Sequence, residues 1–218
     1  MKKVIIFDLD GTILDTLSDL RNSVNYVLEK KGLEPKLKEE IRTFVGNGIE
    51  LLMRRALPED ISEEEFQEDF ELFKTHYDAN IQNETKPYPG IIDLMIDLIN
   101  HGVLIAVVSN KYQAGVDKLV NDFFSDLVNV CVGTSENIRP KPEIDSIKFL
   151  FDVLNIKEID EVFFVGDSEV DIQTARNANI PVISVAWGFR HLEDLVDYEP
   201  DFIADEPKDI LKIVFNKE

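Results

Sequence analysis

The chain has 218 residues and a mass of 25.0 kDa, enough for one ordinary domain or for a domain carrying a smaller insertion. Hydrophobic residues make up 44% and charged residues 30%, with 10 Gly and 9 Pro, a composition that excludes disordered and collagen-like chains. The 23 Lys and Arg against 43 Asp and Glu leave a formal charge of −20, whose field repels nucleic acid and anionic lipid, so neither is an expected partner.

An anionic substrate requires that field to be reversed locally, by a metal ion or a few placed cations. The single Cys131 closes no internal disulfide and builds no thiolate zinc site. After Met1-Lys2-Lys3 the apolar run is too short for a signal peptide, no stretch reaches bilayer length, and Asn216-Lys217-Glu218 is no prenylation signal. A cytoplasmic location is the expectation.

Val4 to Phe7 reads as a buried strand that stops at Asp8-Leu9-Asp10-Gly11-Thr12. Strand signals then vanish, and helical periodicity runs through Leu17 to Lys30, Lys38 to Leu57 and Ser62 to Ile81. Gly46-Asn47-Gly48 breaks the second of these into helix, loop, helix, and Ser62 with Glu65 fits a capping box. Pro87-Tyr88-Pro89-Gly90 marks the return from this helical insertion. Beyond it, the apolar runs Val103 to Val108, Val162 to Val165 and Val182 to Val185 alternate with helical patterns at Ile91 to Asn100, Gln113 to Phe123, Ile144 to Leu154 and Ile172 to Asn179. That alternation predicts an α/β fold, a Rossmann-like doubly wound parallel sheet, with residues 1–14 and 89–218 as core and 15–88 as an inserted all-helical domain.

Candidate chemistry gathers at the predicted strand ends, where open α/β sheets place their ligand crevice. Asp8 and Asp10 repel each other unless a hard cation bridges them or one stays protonated; the bland alternative is a turn in which Thr12 or Asp15 caps the next helix. A calcium loop fails, since Ile13 and Asp19 stand where its glycine and bidentate Glu belong. Ser109 with Asn110 offers phosphoryl donors or an ordinary N-cap, and Lys141 between Pro140 and Pro142 offers a directed ammonium or a solvated one. Asp167 is a second metal anchor or a helix cap, and Asp171 lies one turn beyond, facing the same crevice. Together these supply a nucleophile, a proton-transfer group, a hard-metal nest and a cation, the demands of phosphoryl transfer.

The set Asp8-Leu9-Asp10-Gly11-Thr12, Ser109, Lys141 and Gly166-Asp167-Ser168-Glu169-Val170-Asp171 resembles the haloacid dehalogenase superfamily of hydrolases. Val45-Gly46-Asn47-Gly48, Arg54-Arg55-Ala56-Leu57, Ser109-Asn110-Lys111 and Trp187-Gly188 are most similar to its phosphoglycolate phosphatases, although Pro142-Glu143-Ile144-Asp145 lacks their second proline. The resemblance implies a Mg²⁺-dependent phosphatase acting on a small phosphorylated metabolite, 2-phosphoglycolate first, through an aspartyl phosphate on Asp8 with Asp10 as acid and then base. It implies Mg²⁺ on the Asp8 carboxylate, the Asp10 carbonyl and Asp167, phosphate on Ser109, Asn110 and Lys141, and support from Thr12 and Asp171. The helical insertion resembles a cap, in which Asn47 and Gly48 are the candidate substrate contacts and Arg54 the cation available for a substrate carboxylate. An acid at Asp10 speaks against the dehalogenases and phosphonoacetaldehyde hydrolases. The alternatives are a phosphosugar mutase, a pyrophosphatase or nucleotidase and, from another class, a phospho-Asp signalling receiver. His76, His101 and His191 are too scattered in sequence to suggest a metal cluster.

Overall fold

The computed structural model describes residues 2–158 and 160–215, so Met1, Ile159 and Asn216-Lys217-Glu218 lie outside the described residues. The chain opens with β1 (Lys3–Phe7) and the short β2 (Leu14–Asp15), then runs through α1 (Leu17–Lys30), α2 (Lys38–Phe44), α3 (Ile49–Ala56) and α4 (Glu63–Asn80) before β3 (Lys86–Pro87). Thereafter α5 (Ile91–Asn100), β4 (Leu104–Tyr112), α6 (Gln113–Phe124), β5 (Val130–Thr134), α7 (Asp145–Leu154), β6 (Glu161–Gly166) and α8 (Glu169–Ala178) alternate. The chain continues with β7 (Val182–Val185), α9 (Leu192–Val196), β8 (Phe202–Ala204) and α10 (Pro207–Phe215).

Six strands form one parallel sheet in the order β5-β4-β1-β6-β7-β8. The chain builds outward from β1 through β4 and β5, then crosses back to lay β6 on the other side of β1. A crevice therefore opens at the C-terminal end of β1. Val4, Ile5, Ile6 and Phe7 are all fully buried because helices cover both faces of the sheet. Ile5 and Phe7 face one apolar cluster, which extends to Leu20, Leu52 and Phe73 of the helical insertion. Val4 and Ile6 face the other, which holds Ile147 of α7 and Ile172 of α8. Among the described residues no helix is long and apolar enough to cross a membrane.

The predicted second helical stretch is two helices, α2 and α3, parted at Gly46 and Gly48, whose φ of 110° and 90° lie where side chains are disfavoured. Helix α4 begins at the expected capping box: the Ser62 hydroxyl accepts from the Glu65 N–H at 3.3 Å, and the Glu65 carboxylate accepts from the Ser62 N–H at 3.2 Å. Its Phe66, Phe73 and Tyr77 recur at helical spacing and are completely buried. Buried Asp19 of α1 accepts from the N–H groups of Glu84 and Thr85 and from the Thr85 hydroxyl at 2.8–3.0 Å, tying down the returning chain. Beside it, β2 and β3 pair antiparallel, so both connections between the helical insertion and the sheet pass through one ribbon.

Strands β2, β3, β5 and β8 and the helices α9 and α10 were not expected from the sequence, and β3 lies within the stretch expected to be all-helical. Val130-Cys131-Val132 is a short run that Gly133 ends, and β8 lies at the sheet edge, where Phe202 and Ile203 are each 40% exposed. Neither has the long apolar signal of a strand buried on both sides.

Candidate functional site

The ends of β1, β4 and β6 meet at a cavity of about 50 Å³ whose floor includes Asp8, Asp10, Ser109, Lys141 and Asp167. Leu20, Val45, Ile49 and Leu52 of the helical insertion form an apolar roof. Asp8 follows β1 directly, and its N–H donates to the Val165 carbonyl at 2.8 Å, which pins the first acid beside β6. At its centre, the Lys141 ammonium donates to Asp8 Oδ1 and to Asp171 Oδ1, both at 2.6 Å, and the three side chains are 4%, 8% and 1% exposed. Carboxylate oxygens of Asp8, Asp167 and Asp171 lie within 4.8 Å of one another.

Burial works against the Lys141 ammonium, but Asp171 and Asp8 outweigh it and its pKa stands above the ordinary lysine value. Burial drives the Asp8 carboxyl well above the usual carboxylate range, against the pull of Lys141 and with reinforcement from Asp171 and Asp167. The same cause, followed by the charge of Asp171, pushes Asp167 up to about 7.

Glycine clears the ground around these acids. A Cβ on Gly188 would stand 2.2 Å from the Asp167 Cβ, one on Gly11 2.3 Å from Asp167 Oδ2, and one on Gly166 2.3 Å from the Asp171 Cβ. Asp167 accepts from the Phe189 N–H at 2.6 Å and from the Thr12 hydroxyl at 3.4 Å. Thr12 thus faces the crevice and caps no helix; its carbonyl accepts from the Trp187 indole at 3.0 Å. Ser168 caps α8, and its N–H and hydroxyl donate to Asp171 Oδ2 at 3.0 and 2.6 Å. The capping box and the Lys141 contact therefore use the two oxygens of one carboxylate.

Ser109 is not a helix cap either, because β4 continues to Tyr112 through a register shift after Val108. Its hydroxyl points to Asp10 Oδ2 at 3.3 Å. The Asn110 side chain brackets the Lys141 backbone, accepting from its N–H at 2.6 Å and donating to its carbonyl at 3.3 Å, and reaches the Gly46 carbonyl at 3.1 Å. That amide aims Lys141 and touches the insertion with the same side chain.

Of the residues named from the insertion, Gly48 lines the cavity; Asn47 and Arg54 do not. Asn47 accepts from Arg55 at 3.0 Å outside the roof, and Arg54 is drawn to Glu50 and Glu63 at 3.0 Å over the ring of Phe66. Opposite charges four and nine residues away hold that guanidinium on the outer surface, so the expected carboxylate contact is corrected. Arg190 lines the cavity instead. It donates to the carbonyls of Arg42 and Val45 at 3.0 and 2.8 Å, while Arg42 donates back to the Phe189 and Gly188 carbonyls, a reciprocal clasp between insertion and sheet.

Sequence reasoning missed Arg190, the Phe189 N–H, Lys111 and Tyr77. The first two follow β7, and Trp187-Gly188 just after an apolar run was the same strand-end signal used for the other loops. Lys111 stands in the same strand-end triplet as Ser109, whereas Tyr77 carried no such signal, since only folding brings α4 over the end of β4. His76 packs on Tyr26 with ring centroids 4.1 Å apart, and no histidine lines the cavity among the described residues.

A family model of haloacid dehalogenase-like hydrolases matches residues 5–185. The phosphoglycolate phosphatase of Agrobacterium fabrum is 30% identical over 221 residues, covering 100% of this chain and 94% of that protein. The phosphoglycolate phosphatase of Aquifex aeolicus is 30% identical over 216 residues, covering 98% and 97%. Among solved structures, a candidate phosphoglycolate phosphatase from Lactobacillus delbrueckii subsp. bulgaricus superposes with a TM-score of 0.92 at 35% identity, covering 98% of this chain and 99% of that one. The family match begins inside β1 and ends at the last residue of β7, taking in Asp8, Asp10, Ser109, Lys141 and Asp167: the chain belongs to the haloacid dehalogenase-like hydrolase family.

Proposed function

We propose that the chain is a Mg²⁺-dependent phosphatase that hydrolyses a small phosphomonoester, 2-phosphoglycolate foremost, through an aspartyl phosphate on Asp8. One observation carries this reading: a buried carboxylate, a buried ammonium and two further acids converge on a single small cavity under an apolar roof. The activity named for the Agrobacterium and Aquifex relatives supports the choice of substrate.

The donor set fits a hard divalent cation. Its atoms are carboxylate oxygens, and burial together with mutual repulsion raises Asp8 and Asp167, which is the signature of negative charge in need of a counter-ion. Asp171 is committed to Lys141 and Ser168, so Asp8 and Asp167 would hold the ion, with the Asp10 carbonyl completing the protein's share. When bound, Mg²⁺ supplies positive charge that offsets repulsion between the phosphoryl group and the nucleophile.

In the first half-reaction a carboxylate oxygen of Asp8 attacks phosphorus, the bond from phosphorus to the ester oxygen breaks, and the electron pair departing on that oxygen is met by the proton of Asp10. In the second, Asp10 as carboxylate takes a proton from water as the water attacks the aspartyl phosphate, leaving inorganic phosphate and free Asp8. Ser109, the Asn110 amide and Lys141 serve as donors to the phosphoryl oxygens, and Thr12 and Asp171 support Asp167 and Lys141. Residues 15–88 act as a cap on the core of 1–14 and 89–218, hinged at the β2–β3 ribbon and excluding water when the arginine clasp is made.

The test is a phosphate-release screen over 2-phosphoglycolate, sugar phosphates, nucleotides and pyrophosphate, with Mg²⁺ and with EDTA. Release from the small esters only with Mg²⁺, abolished in a folded Asp8→Asn variant, is expected. Turnover by Asp8→Asn at the wild-type rate refutes the mechanism, and retention of phosphate as ester in the product identifies a mutase instead.

A further inference from the structure

Two buried ammonium groups divide the two acids at the end of β1. Lys141 holds Asp8, and Lys111, whose side chain is 2% exposed, stands 3.1 Å from Asp10 Oδ1. Burying an ammonium is costly unless it is paired, and the fold makes specific room for this one. A Cβ on Gly115 would come 3.0 Å from the Lys111 Cδ, and a Cβ on Gly133 would come 2.6 Å from the Lys111 carbonyl oxygen. The ammonium donates to the Tyr77 hydroxyl at 2.8 Å and lies 4.8 Å from the centre of its ring. Tyr77 belongs to α4, in the helical insertion, and is wholly buried. Asp10 Oδ1 also accepts from the Thr16 hydroxyl at 2.7 Å, while Oδ2 faces Ser109.

We propose that Lys111 is a positioning residue: anchored on Tyr77, its ammonium holds the Asp10 carboxyl in the orientation from which its proton meets the leaving oxygen. The role rests on the reading of Asp10 as the acid. Lys111 acts through Asp10, so its contribution to forming the aspartyl phosphate scales with how much the leaving group needs a proton. It also makes that contribution depend on α4 lying over the site, which ties proton delivery to the seated insertion.

Ethyl phosphate and acetyl phosphate separate this role from general support of the fold. Both are two-carbon phosphates, but ethoxide leaves poorly without a proton and acetate leaves readily. Hydrolysis of the aspartyl phosphate is common to both substrates, so the selectivity is read in kcat/KM, which reports only the steps up to its formation. With Mg²⁺ present, Lys111→Met is expected to lower kcat/KM on ethyl phosphate by roughly 100-fold or more, within the range of general acid catalysis, and kcat/KM on acetyl phosphate by less than about tenfold. Tyr77→Phe, which keeps the ring and removes the anchor, should show a smaller loss with the same selectivity; its melting curve and that of Lys111→Met confirm folding. Asp10→Asn is the reference and should be at least as selective as Lys111→Met. Equal losses on both substrates in Lys111→Met and Tyr77→Phe, or none, with Asp10→Asn still selective, overturn the positioning role alone. An unselective Asp10→Asn overturns the acid reading and this role with it.

Discussion

Replacing Lys141 by Met removes the only cation within 2.6 Å of both Asp8 and Asp171 among the described residues and leaves a cluster of acids spaced at 4.8 Å or less. At an effective dielectric of about 20, two full charges at that spacing repel by roughly 3 kcal/mol, and breaking a buried ion pair from one side costs about 3–5 kcal/mol. Unfolding free energy at pH 8 in EDTA should therefore fall by about 3–5 kcal/mol in Lys141→Met, or roughly 6–20 °C in Tm for a chain of this size. Denaturant titration followed by fluorescence of the single Trp187, whose indole is bonded to Thr12 at the site, measures it directly.

The loss should also depend on pH in a defined direction. Asp167 has a folded pKa of about 7, above its ordinary 3.8, so the folded state holds more protons than the unfolded between those values. That contribution is fully present below the unfolded pKa and is lost as pH rises through about 7. Metal-free wild type should accordingly lose stability from pH 5.5 to 8, Lys141→Met more steeply, and Mg²⁺ should restore much of it at pH 8. A deficit under about 1 kcal/mol in EDTA at pH 8, or one indifferent to both pH and Mg²⁺, refutes the picture of a cation-neutralised acid cluster.

Two further substitutions probe the frame around the site. Gly188→Ala places a Cβ 2.2 Å from the Asp167 Cβ and should weaken Mg²⁺ binding, read by calorimetry, by at least about tenfold, a loss typical of disturbing the support of a metal ligand; unchanged affinity would show that Asp167 holds no ion. Asp19→Ala strands the N–H and hydroxyl of buried Thr85, together with the Glu84 N–H, and should cost about 2–4 kcal/mol in denaturant unfolding; a change below about 1 would mean water replaces the carboxylate there.

Asp8, Asp10, Ser109 and Asp167 were legible because each ends an apolar run, and a parallel sheet sends all such ends to one edge. Lys141 came from its place between prolines, and its aim onto Asp8 is set by Asn110, a contact across 31 residues of chain. Arg54 misled for a local reason: an arginine on a helix looks available until Glu50 and Glu63 are seen to hold it outside. Lys111 was written in the same triplet as Ser109, yet its partner Tyr77 lies 34 positions earlier on a helix whose periodicity speaks only of burial.

By itself the sequence determined the alternation of strand and helix, the helical insertion and the acids at the strand ends, since these follow from spacing along the chain and from which side chains tolerate burial. Only the tertiary structure decided which ammonium faces which carboxylate, which glycines make room for them, and that Arg190 rather than Arg54 reaches the cavity. Those outcomes depend on distances of 2–4 Å between segments remote in sequence, and such distances are set by how the insertion seats on the sheet, a property that no local pattern encodes.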